Sequence, residues 1–354
     1  MRIAIRVDSS SIIGSGHLMR CLSLSQYLRD YGHSIFFISR DLDGDLSKIV
    51  RGKGFFLHKI GRSEIKYSLS GYSEWLTVPE DVDADDTIRI LSTIGKVDMV
   101  IVDHYAIGEI WENKLYRVVK KIFVIDDLAN RKHNCDFLLD QTFGREYENK
   151  YNSLLPKECK QFLGTSYCLL KEEYRKLKHS AKTRDKINKV LVFFGGSDDT
   201  GETIKMLNAI KIGNFSSYSF VVIVGDNNFR KDEIKFLCED LENVEFHCQV
   251  DNMEYYISIC DIAISAPGAN TWERCILGLP SVITITADNQ VEIASALVRE
   301  KAAILVGNYT SVTVDVYNKV ISSLDKLNIS SMSRNSFRMM KNDLFHYMLK
   351  EIGD

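Results

Sequence analysis

Met1-Arg2-Ile3-Ala4-Ile5-Arg6-Val7-Asp8 is followed by Ser9-Ser10-Ser11-Ile12-Ile13-Gly14-Ser15-Gly16 and then by His17-Leu18-Met19-Arg20-Cys21. The first eight residues read as a strand, rich in β-branched residues. From His17 onward, Leu18, Cys21, Leu22, Leu24, Ser25 and Leu28 recur at helical spacing. A strand, a short polar loop with two glycines and a helix form the opening unit of an open α/β sheet. Ligands of such sheets bind at the carboxyl ends of the strands. Gly14 and Gly16 let backbone approach a ligand, and histidine is the side chain type suited to proton transfer at such a place. A helix-capping turn with a surface histidine is the competing reading, and the loop alone does not decide between them.

Outward from this loop the pattern repeats. Short apolar runs at 33–39, 97–102, 122–125 and 137–140 read as strands, with helical spacing over 75–91 and 109–121. A second series has strands at 190–194, 220–224, 244–247, 262–265 and 281–286, and an amphipathic helix over 332–351 closes the chain. β-rich runs separated by helices predict parallel sheets covered on both faces. Between the series, residues 171–189 carry eight Lys/Arg against three Asp/Glu and few apolar side chains, which reads as a solvated connector. The predicted fold is α/β, with two doubly wound Rossmann-like domains facing across a cleft. An N-terminal domain over 1–175 carries the histidine loop, a linker spans 176–189, a second domain spans 190–330, and a C-terminal helix spans 331–354.

The bulk numbers set limits. A chain of 354 residues has room for two domains, and 45% hydrophobic with 26% charged residues is the balance of a soluble globular protein. A formal net charge of −3 argues against nucleic-acid binding driven by bulk charge. No apolar run reaches the length of a membrane span, and a strand at the start predicts no secretory signal. Eight cysteines without a C-x-x-C pair predict reduced thiols in a cytoplasmic protein.

Several motifs carry candidate chemistry. Gly14-Ser15-Gly16-His17-Leu18-Met19 is neither a dinucleotide fingerprint, since Met19 stands at the third glycine, nor a Walker loop. Gly195-Gly196-Ser197-Asp198 and Gly268-Ala269-Asn270-Thr271 each precede a helix in the second series, where backbone N–H groups suit a phosphate. Glu273, in the first turn of the latter helix, has the reach to accept hydrogen bonds from a ribose diol; complementing the helix dipole is its plainer role. Asp103-His104-Tyr105 and Asp126-Asp127 end strands and read as cleft residues. Asp41-x-Asp43 and Asp83-x-Asp85 read as solvated turns, and no metal site is supported.

Taken in order, these residues resemble a known family. Arg6-Val7-Asp8 through Gly14-x-Gly16-His17-x-Met19-Arg20-Cys21, Val102-Asp103-His104-Tyr105, Ile125-Asp126-Asp127-Leu128-Ala129, Cys135-Asp136-x-Leu138-Leu139-Asp140-Gln141, Phe194-Gly195-Gly196-Ser197-Asp198, Thr271-Trp272-Glu273-Arg274-Cys275-x-Leu277-Gly278-Leu279-Pro280 and Ala287-Asp288-Asn289-Gln290 resemble the UDP-sugar hydrolases of pseudaminic acid biosynthesis. The family's Gly/Ser/Thr-rich run before Trp272 is here Ala266-Pro267-Gly268-Ala269-Asn270, and Asp198-Asp199 replaces Asp-Pro.

The resemblance implies a GT-B-like fold, similar to the peptidoglycan N-acetylglucosaminyltransferase. It implies hydrolysis of UDP-2,4-diacetamido-2,4,6-trideoxy-β-L-altropyranose to UDP and the free sugar, by water attack at the anomeric carbon with inversion. It implies His17 as catalytic base and sugar contacts from Gly14, Gly16, Tyr105, Asn289 and Gln290. UDP would be held by Gly195, Gly196, Ser197, Gly268, Ala269, Asn270, Thr271 and Glu273. No metal and no cofactor are expected. The partner is a UDP-sugar, with no nucleic acid and no membrane, and the chain is expected to act as a cytoplasmic monomer in making a sialic-acid-like sugar for flagellin or surface polysaccharide. Two competing readings are a GT-B glycosyltransferase that uses an acceptor hydroxyl and a non-catalytic nucleotide-sugar binding protein. An acceptor platform would favour the transferase, and the sequence displays no clear one.

Overall fold

The computed structural model describes residues 1–143 and 147–353. The chain divides into two compact units, one of residues 1–169 with 342–354 and one of residues 170–341.

The first unit holds seven strands: β1 (Arg2–Val7), β2 (Ser34–Arg40), β3 (Phe56–Ile60), β4 (Met99–Asp103), β5 (Lys121–Ile125), β6 (Phe137–Asp140) and β7 (Lys160–Leu163). They pair in the order β3-β2-β1-β4-β5-β6-β7, every pairing parallel. The second unit holds β8 (Lys189–Phe193), β9 (Ser219–Val224), β10 (Val244–Cys248), β11 (Ile262–Ser265), β12 (Ser281–Ile285) and β13 (Ala303–Asn308). Their order, β10-β9-β8-β11-β12-β13, repeats the same winding, again all parallel. The winding reverses between β1 and β4 and between β8 and β11. These are the topological switch points at which open α/β sheets bind ligands.

Alternation along β1 shows how the sequence sets the layers. Ile3, Ile5 and Val7 face one core, with Leu18, Leu24 and Leu28 of the helix Gly16–Asp30. Ala4 faces the other, with Val100, Trp111 and Leu115. Arg6 is fully buried. It donates to both Asp8 oxygens at 2.6 and 2.8 Å and to both Asp83 oxygens at 3.1 and 2.8 Å. Arg40 adds a 2.8 Å contact to Asp83 and one of 2.7 Å to Asp86. Asp83 is therefore an internal counter-charge on the helix Glu80–Ile94 and not a solvated turn. A charge that deep persists only when paired and hydrogen-bonded.

Three other expectations are corrected. The helical run over 75–91 is two elements, a 3-10 helix Gly71–Leu76 and the helix Glu80–Ile94. Pro79 enforces the break, because it lacks an N–H and restricts the residue before it. The supposed linker belongs to the second unit. The basic run over 171–189, read as a solvated connector, lies in that unit and opens with the helix Glu172–Lys178, which crosses the expected boundary at 175/176, and Arg184 is buried. Arg184 donates to the carbonyls of Ile257 at 3.0 Å and Ser258 at 3.3 Å, at the end of the helix Met253–Ile259. A basic side chain there satisfies the last carbonyls of that helix. The closing helix over 332–351 is also two helices, Ile329–Met339 and Phe345–Gly353. Phe345, Met348, Leu349 and Ile352 of the latter pack into the core of the first unit.

Candidate active site

The first unit's switch point carries a histidine–carboxylate pair. Val7 at the end of β1 lies opposite Asp103 at the end of β4. Gly14, at a φ of 75°, turns the loop after β1, and its N–H donates to Ser10 at 2.9 Å. A positive φ there is one that glycine adopts without penalty. The helix Gly16–Asp30 then begins, with Gly16 its first residue, and places His17 over the strand end, only 7% exposed.

His17 Nδ1 stands 2.6 Å from Asp103 Oδ1. Because Asp103 is held ionised and its oxygens only accept, the hydrogen bond is donated by Nδ1–H, which leaves Nε2 unprotonated in the neutral ring. Nε2 has no hydrogen-bond partner among the described residues. Arg20, one turn along the helix, donates to Asp103 at 2.6 and 2.7 Å and to Asp127 at 2.9 Å. The Tyr105 hydroxyl donates to Asp127 at 2.6 Å. Burial alone would raise the Asp103 carboxyl, but Arg20 and His17 outweigh it and hold the group well below the ordinary carboxylate range. Burial, reinforced by Asp127, pushes the Tyr105 hydroxyl far up, so it stays protonated and its proton goes to Asp127. Neighbouring His104 is buried, and burial lowers it. It accepts from the Ala106 N–H at 3.1 Å and faces Asp8 at 3.4 Å, which is an internal role.

Around His17 stands an aromatic cluster. Its ring lies 4.5 Å from that of Tyr105 and 5.8 Å from that of Trp75, both edge-on. Trp75 stacks on Tyr105 at 5.3 Å, and Tyr72 meets both rings at 5.0 Å. Sequence reasoning named His17 and Tyr105 as site residues and read Asp103 and Asp127 as cleft residues without a role; it missed Arg20 and Trp75, and the pairing of Asp103 with His17. Arg20 at i+3 from His17, and an aspartate closing a buried strand, were the available signals.

The second unit's switch point is flanked by the two glycine loops. After β8, Gly195 takes a φ of 106°, and Gly196 accepts from the Gly225 N–H at 2.8 Å. A Cβ on Gly225 would lie 2.8 Å from Gly196 Cα, so the pair exists to let two backbones cross. Asp198 accepts from the N–H groups of Glu202 at 3.0 Å and Thr203 at 2.8 Å. The helix Glu202–Gly213 thus has its N-terminus capped from within its own chain. Ser197 donates to Asp199 at 3.1 Å.

The loop after β11 differs. The helix Thr271–Ile276 has no side-chain cap. The N–H of Thr271 is taken by Gly268 at 3.0 Å, while those of Trp272 and Glu273 find no acceptor among the described residues. Ala269 and Asn270 complete the turn. Beneath it, Arg274 is buried and donates to Ser281 at 3.0 Å, to the Ala266 carbonyl and Thr271 hydroxyl at 3.3 Å, and to Asn270. Burial without a bonded carboxylate lowers this guanidinium to about 10. Glu273 is half-buried; burial raises its carboxyl, against the pull of Lys171 and Tyr174. Gln290 accepts from Thr286 N–H at 2.9 Å and lies near Gly268, where a Cβ would meet its Nε2 at 3.9 Å. Asn289 beside it is exposed. Gly268–Glu273 and Gln290 are thus neighbours within this unit, while no hydrogen bond joins the Gly195–Ser197 loop to them among the described residues. No cluster of three or more His, Cys, Asp or Glu suited to a metal occurs among the described residues, and no helix among them is long and apolar enough to cross a membrane.

This architecture is the GT-B glycosyltransferase fold. Residues 190–351 match the family model of the glycosyltransferase family 28 C-terminal domain. Over 99% of both chains the protein is similar to MurG of Acinetobacter baumannii, at 12% identity and a TM-score of 0.64. Over 100% of both it is similar to the spinosyn rhamnosyltransferase SpnG complexed with thymidine diphosphate, at 14% identity and a TM-score of 0.68. It is 27% identical, over 56% of its length and 61% of the other's, to the UDP-2,4-diacetamido-2,4,6-trideoxy-β-L-altropyranose hydrolase of Campylobacter jejuni. The chain spans 57% and 61% of the lengths of the first curated relatives it matches.

Proposed function

We propose that the protein is a nucleotide-sugar-dependent enzyme that transfers the sugar from a UDP donor to an acceptor hydroxyl, with inversion and without a metal. The observation that carries this reading is the His17–Asp103 pair, with Nε2 left free at a switch point of a GT-B chain. The acceptor oxygen attacks the anomeric carbon as the bond to the diphosphate breaks, and the departing electron pair goes to UDP. His17 Nε2 takes the acceptor proton. Asp103 keeps the proton on Nδ1 and stabilises the imidazolium that forms, the division of labour of a base and its orienting carboxylate. Tyr105, tied to Asp127, fixes the wall against which the sugar lies.

In this reading the second unit holds the nucleotide. The unengaged N–H groups of Trp272 and Glu273 and the charge of Arg274 meet the diphosphate as its negative charge develops, with Gly268, Ala269, Asn270 and Thr271 shaping the turn. Glu273 accepts from the ribose. Gly195, Gly196 and Ser197 supply a close backbone approach, and Asn289 and Gln290 contact the sugar.

The family 28 match and the SpnG likeness favour transfer to an acceptor over hydrolysis. Hydrolysis of a UDP-sugar by the same base, with water as the nucleophile, is the second reading. The C. jejuni hydrolase favours it, and with it a role in making a pseudaminic-acid-type sugar. Incubation with a panel of UDP-sugars, with and without sugar acceptors, separates the two: transfer gives UDP release that depends on acceptor, hydrolysis gives release without one. No UDP from any donor under either condition would overturn both.

A further inference from the structure

The 3-10 helix Gly71–Leu76 brings Tyr72 and Trp75 to one side, because residues three apart eclipse in that helix. Both rings are half-buried. Trp75 is braced by stacking on Tyr105, at an interplanar angle of 27°, and by the edge of His17. Its indole N–H has no hydrogen-bond partner among the described residues. Trp75 Nε1 and His17 Nε2, a donor and an acceptor, are therefore both unengaged on rings whose centroids lie 5.8 Å apart. An apolar ring face edged by a free donor and a free acceptor matches one kind of ligand: a pyranose, which has a C–H face and a rim of hydroxyls.

We propose that the face of Trp75, with Tyr72 standing edge-on beside it at an interplanar angle of 80°, forms the platform on which a pyranose ring lies while His17 takes a hydroxyl proton. This rests on the reading of the protein as a nucleotide-sugar enzyme and adds the residues that select its sugar. The ring belongs either to the acceptor or to the donor, and the test distinguishes them.

Trp75 also supplies the signal. The chain has three tryptophans; Trp111 is 0% and Trp272 2% exposed, so quenching by iodide reports Trp75. The probes are UDP alone, UDP-N-acetylglucosamine, UDP-glucose and UDP-galactose, and free N-acetylglucosamine and glucose, each at concentrations that calorimetry shows to saturate where binding occurs. Protection of Trp75 by a UDP-sugar but not by UDP assigns the platform to the donor sugar. Protection by a free sugar, added to the UDP-bound protein, assigns it to the acceptor. The Trp75→Ala variant should keep its UDP affinity and the shape of its pH–rate profile, raise the KM for the sugar concerned by about tenfold or more, and recover most of the loss as Trp75→Phe. Unchanged quenching with a sugar ligand bound, or a Trp75→Ala enzyme with wild-type KM values for donor and acceptor, overturns the platform and leaves the nucleotide reading standing. Binding of no nucleotide or sugar probe by the wild type overturns the nucleotide reading and the platform with it.

Discussion

Asp103→Asn separates an oriented base from a histidine that is merely nearby. The carboxylate sits 2.6 Å from His17 Nδ1 and is fully buried. Two effects follow from replacing it by an amide of the same shape. The favourable charge interaction with the imidazolium is lost, and for charges about 4 Å apart near a protein surface that is about 4 kcal/mol, or about 10³-fold in rate. The Asn amide also donates to Nδ1, which moves the ring proton to Nε2 and blocks the atom that must accept; a wrong tautomer of this kind costs about 10⁴-fold in a serine-hydrolase triad. Arg20 keeps its contact to Asp127 at 2.9 Å, so its charge stays paired. A fall in kcat of about 10³–10⁴-fold is expected, measured as initial UDP release from the best donor of the panel. The circular dichroism spectrum and calorimetric UDP affinity should remain those of the wild type. A variant that retains more than about a tenth of the wild-type kcat would refute the assigned role, because an orienting carboxylate contributes far more than that.

Other outcomes follow from the second unit. Glu273→Gln should weaken uridine binding by about 1–3 kcal/mol, the scale of charged hydrogen bonds. Because burial raises the Glu273 carboxyl above 4.5, and only the ionised form accepts both ribose hydroxyls, wild-type uridine affinity should fall as pH drops through that raised value. Calorimetry across pH should show the Glu273→Gln affinity flat over the same window; a wild-type profile equally flat would make Glu273 a structural residue. UDP release should survive EDTA, and loss of activity restored by Mg²⁺ or Mn²⁺ would contradict donation by backbone and arginine alone. Gly225→Ala should lower stability by about 1–3 kcal/mol through overpacking, since its Cβ would press on Gly196 Cα at 2.8 Å; an unchanged melting temperature would show that the crossing is loose.

The fold was legible where strands are covered on both faces. β4 and β11 are buried along their whole lengths, and β1 at every residue but Arg2, and they read directly as strands. The strands that went unread, β3, β7 and β13, are all sheet edges, where burial is partial and the apolar signal thins. The basic run over 171–189 reads as solvated because charge alone does not show where each side chain goes; Arg184 turns inward to satisfy carbonyls. Asp83 reads as solvated in the same way, because nothing local shows that Arg6, on the inward face of a strand, needs a partner 77 residues away. His17 was visible from its loop, but Asp103 lies 86 residues further on. Only the sheet order, which sets β1 beside β4, makes them a pair. The aromatic platform was hidden because Pro79 splits what reads as one helix, and Trp75 falls on the short element that precedes it.

The most direct test of the central claim is His17→Asn, assayed for UDP release and titrated with UDP on the same preparation. With His17 as the base and the nucleotide held by the second unit, kcat should fall by about 10²–10⁴-fold while UDP affinity stays at the wild-type value. A variant that turns over at more than about a tenth of the wild-type rate, or one whose UDP affinity falls as far as its turnover, would contradict the account.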